Sequence, residues 1–362
     1  MPAEAPAGAA LAPSGAPAFV DLHVDLSYRA RYAGGTVDAG SGQFRADALV
    51  RASVAGVVLP LFVPAEVRPG GPSSADLEES WRTLVEALRN TPPYAEPGCR
   101  AAPGRVRTFL AFEGAAPLAG DPGAAARWAA RGVRLFGLVH KRDNALAASG
   151  TGARPGGGLT PAGRALVREV HRAGAIVDVS HASRRTVHEV VALARVEGRP
   201  VVATHSNASA LTPHARNLDD DTIRAIASTG GLVGVTFHSR FLSGAPRATI
   251  DDVVRHALHL VSVAGAAHVG IGSDFEGDIR TPEGLPDVSA LPELARRLAS
   301  AGLSPAVVAA LAGGNALRIL CPGGAAASPG RVGGGSEDPS PDDPGSAVAP
   351  GLLRGGEEHL PP

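Results

Sequence analysis

Seven side chains in this sequence carry the means for metal chemistry: His23, Asp25, Glu113, His140, His181, His205 and Asp274. Imidazole and carboxylate are donor types that suit zinc at bond lengths near ~2 Å, with manganese or iron as alternatives. His23 and Asp25 lie two apart in the apolar run FVDLHVDL at 19–26. In an extended strand they share a face, roughly 6.6 Å apart along it, which suits one ion gripped from two sides. A carboxylate has two oxygens, so Glu113 can bridge that ion to a second one held by His181 and His205. A hydroxide between two such metals is a nucleophile at neutral pH, and the expected reaction class is hydrolysis.

Taken singly, each residue has a plainer reading: a satisfied histidine at a strand end, a helix-start carboxylate, a cap. Their places in the chain argue otherwise. Eight short apolar runs recur, at 19–26, 54–63, 107–114, 133–140, 175–181, 201–206, 230–237 and 268–275, and six of them carry one or two of these polar residues at their carboxyl ends. The segments between read as helices. SSADLEESWRTLVEALRN has serines as N-caps and a 3.6-residue apolar stripe, TPAGRALVREVHRAG starts on Thr160 and Pro161 and stops at Gly174, and TIDDVVRHALHLVSVAG starts on Thr249 and stops at Gly265. Strand and helix alternating eight times over this length predict an α/β fold, a closed (β/α)8 TIM barrel whose carboxyl-end residues all open onto one face. An open doubly wound sheet is the rival, and it wants a Gly-rich turn after the first strand, where the chain reads HVDLSYR. The Gly-rich loop SGTGARPGGG at 149–158 meets no phosphate-binding spacing and is expected to be a flexible loop.

The chain has 362 residues, 34 Lys+Arg against 35 Asp+Glu and a formal net charge of −1, which gives no electrostatic case for nucleic acid or an anionic membrane surface. A small neutral or zwitterionic partner fits better. No run approaches the ~18 apolar residues of a membrane helix, and the start lacks a secretory pattern, so the cytoplasm is the default location. Residues 1–17 are expected to be a disordered leader, 18–321 the barrel, and 322–362 a disordered tail rich in Gly, Pro and Ser. Cys99 and Cys321 are the only cysteines, which argues against a disulfide framework.

The blocks DLHVDL, AFEG, GLVHKRDNALA, VDVSHAS, THSNASALTPHARN, GIGSDFEG and LAGGNALRIL, in this order over about 19–320, resemble the membrane (renal) dipeptidase family of zinc metallopeptidases. The resemblance implies two zinc ions, one held by His23 and Asp25, the other by His181 and His205, with Glu113 bridging. It implies that His140 stabilises the oxyanion, that Arg216 binds the dipeptide's terminal carboxylate, and that Asp274 moves the proton from water to the leaving amine. Dipeptides, including those with a carboxy-terminal D-residue, are the implied substrates. It also raises homodimerisation, which no surface in the sequence announces. Ser27, Thr236 and His238 depart from the family's usual wording; His238 stands where a substrate-facing tyrosine is common and is expected to reshape the pocket.

Two other functions are open from sequence. One is a different metal-dependent amidohydrolase, acting on a lactone, cyclic amide or phosphotriester. Many such barrels bridge their metals with a carboxylated lysine, and Lys141, the only lysine, follows His140. Neighbours in a strand point to opposite faces, which favours Glu113 as the bridge. The other is a barrel that binds metal or peptide without turnover; inactive relatives usually lose a ligand or the acid/base, and here none is lost.

Overall fold

Short runs of Val, Ile and Leu, buried on both faces, form the sheet, as expected when helices cover a parallel sheet from outside. The computed structural model describes residues 17–37, 42–64, 68, 70–154 and 156–322. The expected leader and tail therefore lie, but for residues 17 and 322, outside the described residues. The strands are β1 (Phe19–Asp21), β2 (Val54–Leu61), β3 (Tyr94–Pro97), β4 (Val106–Glu113), β5 (Val133–Gly137), β6 (Ile176–Asp178), β7 (Val201–Ala203), β8 (Leu232–Val235) and β9 (Val269–Ile271). All pair in parallel, and β1-β2-β4-β5-β6-β7-β8-β9 form a ring that closes where Asp21 pairs with Ile271. This is the expected (β/α)8 barrel. The unexpected strand β3 lies outside the ring and pairs only with the start of β4, at Tyr94 with Val106 and Pro97 with Thr108.

Helices connect the strands where their caps predict. In the helix Ser74–Asn90, the Ser73 hydroxyl accepts from the Asp76 N–H while the Asp76 carboxylate accepts from the Ser73 N–H at 2.9 Å, two end groups satisfied reciprocally. Thr160 caps Pro161–Arg172 by accepting from the Gly163 N–H at 3.0 Å, and Gly265, at φ 88°, ends Ile250–Ala264. The Gly-rich loop after β5 is tied down by acids rather than free: Ser149 and Arg154 N–H both donate to Asp143 at 2.8 Å, and Leu159 N–H donates to Glu189 at 2.9 Å.

The barrel interior is a small apolar cluster made by every second strand residue: Val20 and Leu22, Phe109 and Ala111, Leu135, Ile176, Val202 and Leu232. Its amino end is closed by Ala316, Ile319 and Leu320 of the last helix, Asn315–Leu320. Burying each of the two larger side chains contributes ~1.5–3 kcal/mol. Asn315 holds this plug by donating to the carbonyls of Ala266 and Val269 at 2.7 and 2.8 Å. Cys321, just past it, is disulfide-bonded to Cys99. That corrects the expectation drawn from the cysteine count: 222 residues separate the two, so no local spacing announces the pair.

Candidate metal centre

At the carboxyl end of the barrel the apolar rows give way to polar groups. On β4, Phe109 and Ala111 point inward, and Glu113, next in the same row, places its carboxylate at the barrel mouth with its side chain 8% exposed. The other expected residues lie just past shorter strands than the sequence suggests. β1 stops at Asp21, and Asp25 has φ −82° and ψ 43° at the start of the helix Leu26–Tyr32. His23 and Asp25 therefore do not share a pleated strand face, which corrects that expectation. A turn brings them together, with His23 Nε2 3.6 Å from Asp25 Oδ2.

Hydrogen bonds fix this exit. Asp21 accepts from the N–H of His23 at 3.1 Å and of Ser273 at 2.9 Å, joining β1 to β9. Asp274 N–H donates to the His23 carbonyl at 3.0 Å, and Asp25 N–H to the Phe275 carbonyl at 2.8 Å, so Asp274 lies against the His23–Asp25 pair. Asp274 and His181 both have left-handed backbones, at φ 67° and 65°. Such conformations cost on the order of 1–3 kcal/mol each in a non-glycine residue and collect at functional sites.

The geometry converges on Glu113. Its Oε1 lies 2.9 Å from His181 Nε2, 3.6 Å from His23 Nε2, 3.7 Å from His205 Nε2 and 3.9 Å from His140 Nε2. Three sets, His23 with Asp25 and Glu113, Glu113 with His181 and His205, and His23 with His205 and Asp274, each offer ligand atoms within 4.8 Å of one another. Burial pushes the Glu113 carboxyl up to about 7, and burial together with Asp25 raises Asp274 well above the carboxylate range. Burial holds His140, His181 and His205 well below the usual imidazole value, leaving neutral rings with a free lone pair. Burial also pulls His23 down, but Asp25 and Glu113 outweigh it and lift that ring to about 10.

These residues fit divalent cations. His23 Nε2 and Asp25 Oδ1, both facing the cluster, are buried without a hydrogen-bond partner. Asp25, Glu113 and Asp274 crowd together, Asp25 raising the hold of the other two on a proton, and a divalent cation among them would offset that like charge. Lys141 is exposed, which removes the observation that favoured a carboxylated-lysine bridge.

Arg216 is 6% exposed behind His205, donating from Nη2 to the His205 carbonyl at 3.1 Å, and its Nε has no partner. His238 lies outside the ligand cluster. It caps the short helix Ser239–Leu242 by accepting the Arg240 N–H at 3.3 Å and stacks on Phe241 at 4.1 Å, a ring that also meets His214 at 4.4 Å and Arg216 at 5.7 Å. The sequence reading missed Phe62, whose ring lies 4.5 Å from that of His140 and 5.9 Å from that of Tyr28. Its only signal is the pair of aromatics just after the first two barrel strands. His171, His188, His256 and His259 make structural contacts away from the site, as expected; His256 joins Ala208 N–H to the Leu242 carbonyl at 3.1 Å each.

A closed parallel barrel with a buried imidazole and carboxylate cluster at its carboxyl end has the architecture of a metal-dependent hydrolase. The chain belongs to the membrane dipeptidase family, peptidase family M19, which matches residues 16–325. Among curated proteins it is 40% identical over 217 residues to the uncharacterized dipeptidase C3A11.10c of Schizosaccharomyces pombe, covering 59% of this chain and 52% of the relative. It is 37% identical over 221 residues to dipeptidase aclJ of Aspergillus oryzae, covering 60% and 52%. The matched part spans about half the length of these relatives. Among solved structures it resembles the metallopeptidase dipeptidase AC at 27% identity and a TM-score of 0.74, covering 84% of this chain and 98% of that one. It also resembles a Rhodobacter sphaeroides metallopeptidase liganded with a phosphinate mimic of the dipeptide L-Ala-D-Ala, at 25% identity and a TM-score of 0.72, covering 84% and 99%.

Proposed function

We propose that this protein is a binuclear zinc dipeptidase that hydrolyses dipeptides with a free carboxylate, including those with a carboxy-terminal D-residue. The observation that carries the reading is Glu113 Oε1 standing within 3.7 Å of ring nitrogens from both expected ligand groups, 3.6 Å from His23 and 2.9 and 3.7 Å from His181 and His205. His23, Asp25 and Glu113 would hold one ion, and Glu113, His181 and His205 the other. Bound there, the ions supply Lewis acidity, polarising a carbonyl and acidifying water held against them.

The chain's own residues do the rest. Arg216 receives the substrate carboxylate on its free Nε–H and remaining N–H groups, a planar fork matched to that shape, and so excludes longer peptides. His140, neutral and beside Glu113, donates to the carbonyl oxygen as it gains charge. Asp274 takes a proton from water and hands it to the leaving amine, and its raised affinity for protons suits that exchange. Phe62 and Tyr28, with His238 and Phe241, flank the substrate side chains.

We read residues 18–321 as the catalytic barrel. No helix among the described residues is long and apolar enough to cross a membrane. The Cys99–Cys321 bond favours an oxidising compartment over the cytoplasm expected from the sequence. A library of L-L and L-D dipeptides, with N-acylated and amidated controls, tests the function. Cleavage confined to free-carboxylate dipeptides, lost with chelator and regained with zinc, supports it; cleavage of a lactone or cyclic amide instead would move the protein to another hydrolase class.

A further inference from the structure

Beneath the ligand cluster lies a hydroxyl that no part of the proposed chemistry uses. Ile176 and Val202 point into the barrel, and Asp178 and Thr204, two residues on from each, continue those inward rows one layer below the ligands. Both are buried, Thr204 completely. Thr204 Oγ1 lies 2.6 Å from Asp178 Oδ2, 2.9 Å from His205 Nδ1, 3.1 Å from Ser180 Oγ and 3.4 Å from His23 Nδ1. Asp178 Oδ1 is already taken by the N–H groups of Ser180 and Thr204, at 2.9 and 3.1 Å.

A threonine hydroxyl has one hydrogen and two lone pairs, and a carboxylate only accepts. The shortest contact, to Asp178, takes the hydrogen. Two lone pairs then face three neighbours: His205 Nδ1, the nearest at 2.9 Å, takes one, and Ser180 Oγ at 3.1 Å and His23 Nδ1 at 3.4 Å share the other, so His205 presents a proton on Nδ1 and its Nε2 toward Glu113, and His23 is turned the same way by a longer contact. Gly234 and Gly272 let the Thr204 backbone sit this close: a Cβ at either would stand 2.0 or 1.8 Å from the Thr204 carbonyl oxygen.

We infer that the Asp178–Thr204 pair is a positioning device that sets the tautomer of one histidine ligand in each of the two metal sites. This rests on the metal-centre reading above. Partners on the far nitrogen of ligating histidines are worth about 10–100-fold in metal affinity. One hydroxyl serving both sites predicts that its loss weakens both, His205's ion more than His23's, in keeping with the 2.9 and 3.4 Å contacts.

The test measures zinc occupancy of the full-length protein across buffered free-zinc concentrations, with thermal unfolding of the zinc-loaded and zinc-stripped forms. Thr204→Val should raise the free zinc at half-occupancy by about 10–100-fold and lower the melting temperature mainly in the loaded form. Thr204→Ser, which keeps the hydroxyl, should restore it. Asp178→Asn keeps an oxygen for the two N–H groups but cannot accept the threonine hydrogen; it should follow Thr204→Val and carries the same test if that variant does not fold. Equal half-occupancy in Thr204→Val and wild type, failure of Thr204→Ser to restore it, or an equal loss of stability with and without zinc would overturn the inference. Wild-type protein that takes up no zinc would instead overturn the metal-centre reading, and this inference with it.

Discussion

Replacing Arg216 by Ala separates carboxylate recognition from catalysis. The guanidinium is almost fully buried, donates once to the His205 carbonyl at 3.1 Å, and keeps Nε–H without a partner. Four of its five N–H groups remain for substrate. A bidentate grip supplies two charge-assisted hydrogen bonds at about 1.5–3 kcal/mol each, together about 3–6 kcal/mol. Losing both should lower kcat/KM for a dipeptide by about 10²–10⁴-fold. The gripped carboxylate keeps its charge throughout the reaction, so the grip is equal in ground and transition states and its loss should fall mainly on KM. The decisive comparison is with the C-terminal amide of the same dipeptide. Wild type should strongly prefer the acid; Arg216→Ala should cleave both at a similar, low rate, and Arg216→Lys, with charge but no planar fork, should fall between. If Arg216 serves only to hold the loop after β7, acid and amide will fall together. An unchanged acid-to-amide ratio in Arg216→Ala refutes the assignment.

Three further outcomes follow from the same structure. Asp274→Asn should lower kcat by about 10²–10⁴-fold, the range for losing a proton-transfer group, while zinc content and KM stay near wild type. Cys321→Ser, or reduction of the native protein, opens a loop spanning 222 residues. Chain entropy sets a ceiling of about 5 kcal/mol on the loss, with 2–4 kcal/mol typical, so a fall in Tm on the order of 10 °C is expected by calorimetry. An unchanged Tm would mean that the buried plug alone holds the C-terminal end. Ser73→Ala removes a helix cap and should cost about 1 kcal/mol in denaturant unfolding. The Ser73 hydroxyl and N–H, with Arg68, hold the Asp76 carboxyl at about 2, so its contribution is full above the unfolded value near 4 and fades as pH falls toward 2. The difference between Ser73→Ala and wild type should shrink over that acid range.

Periodicity made the barrel legible because each strand is an apolar run buried on both faces; it put Glu113 at the end of the third run, and the structure adds the inward row of Phe109 and Ala111 that leads to it. The same rule failed at His23 and Asp25. Strand β1 stops at Asp21, a point set by the Asp21 bonds to Ser273 and His23 rather than by local propensity. Strand β3 escaped notice because YAEP is four residues long, includes a proline and has no apolar alternation; it exists only through its pairing with β4. The left-handed backbones of His181 and Asp274 are held by tertiary hydrogen bonds, such as Gly150 N–H to the His181 carbonyl at 2.8 Å, and leave no mark on composition. Asp178 and Thr204 were within reach of sequence reasoning: each continues an inward row, and a buried acid and hydroxyl beside histidines mark a supporting shell.

The central claim is that Glu113 bridges two ions, and the most direct measurement of it is the zinc-to-protein ratio of wild type and Glu113→Gln purified side by side. Two zinc ions per wild-type chain, falling to one or fewer in the variant, is the predicted result. A full complement retained by Glu113→Gln, or no bound metal in wild type, would contradict it.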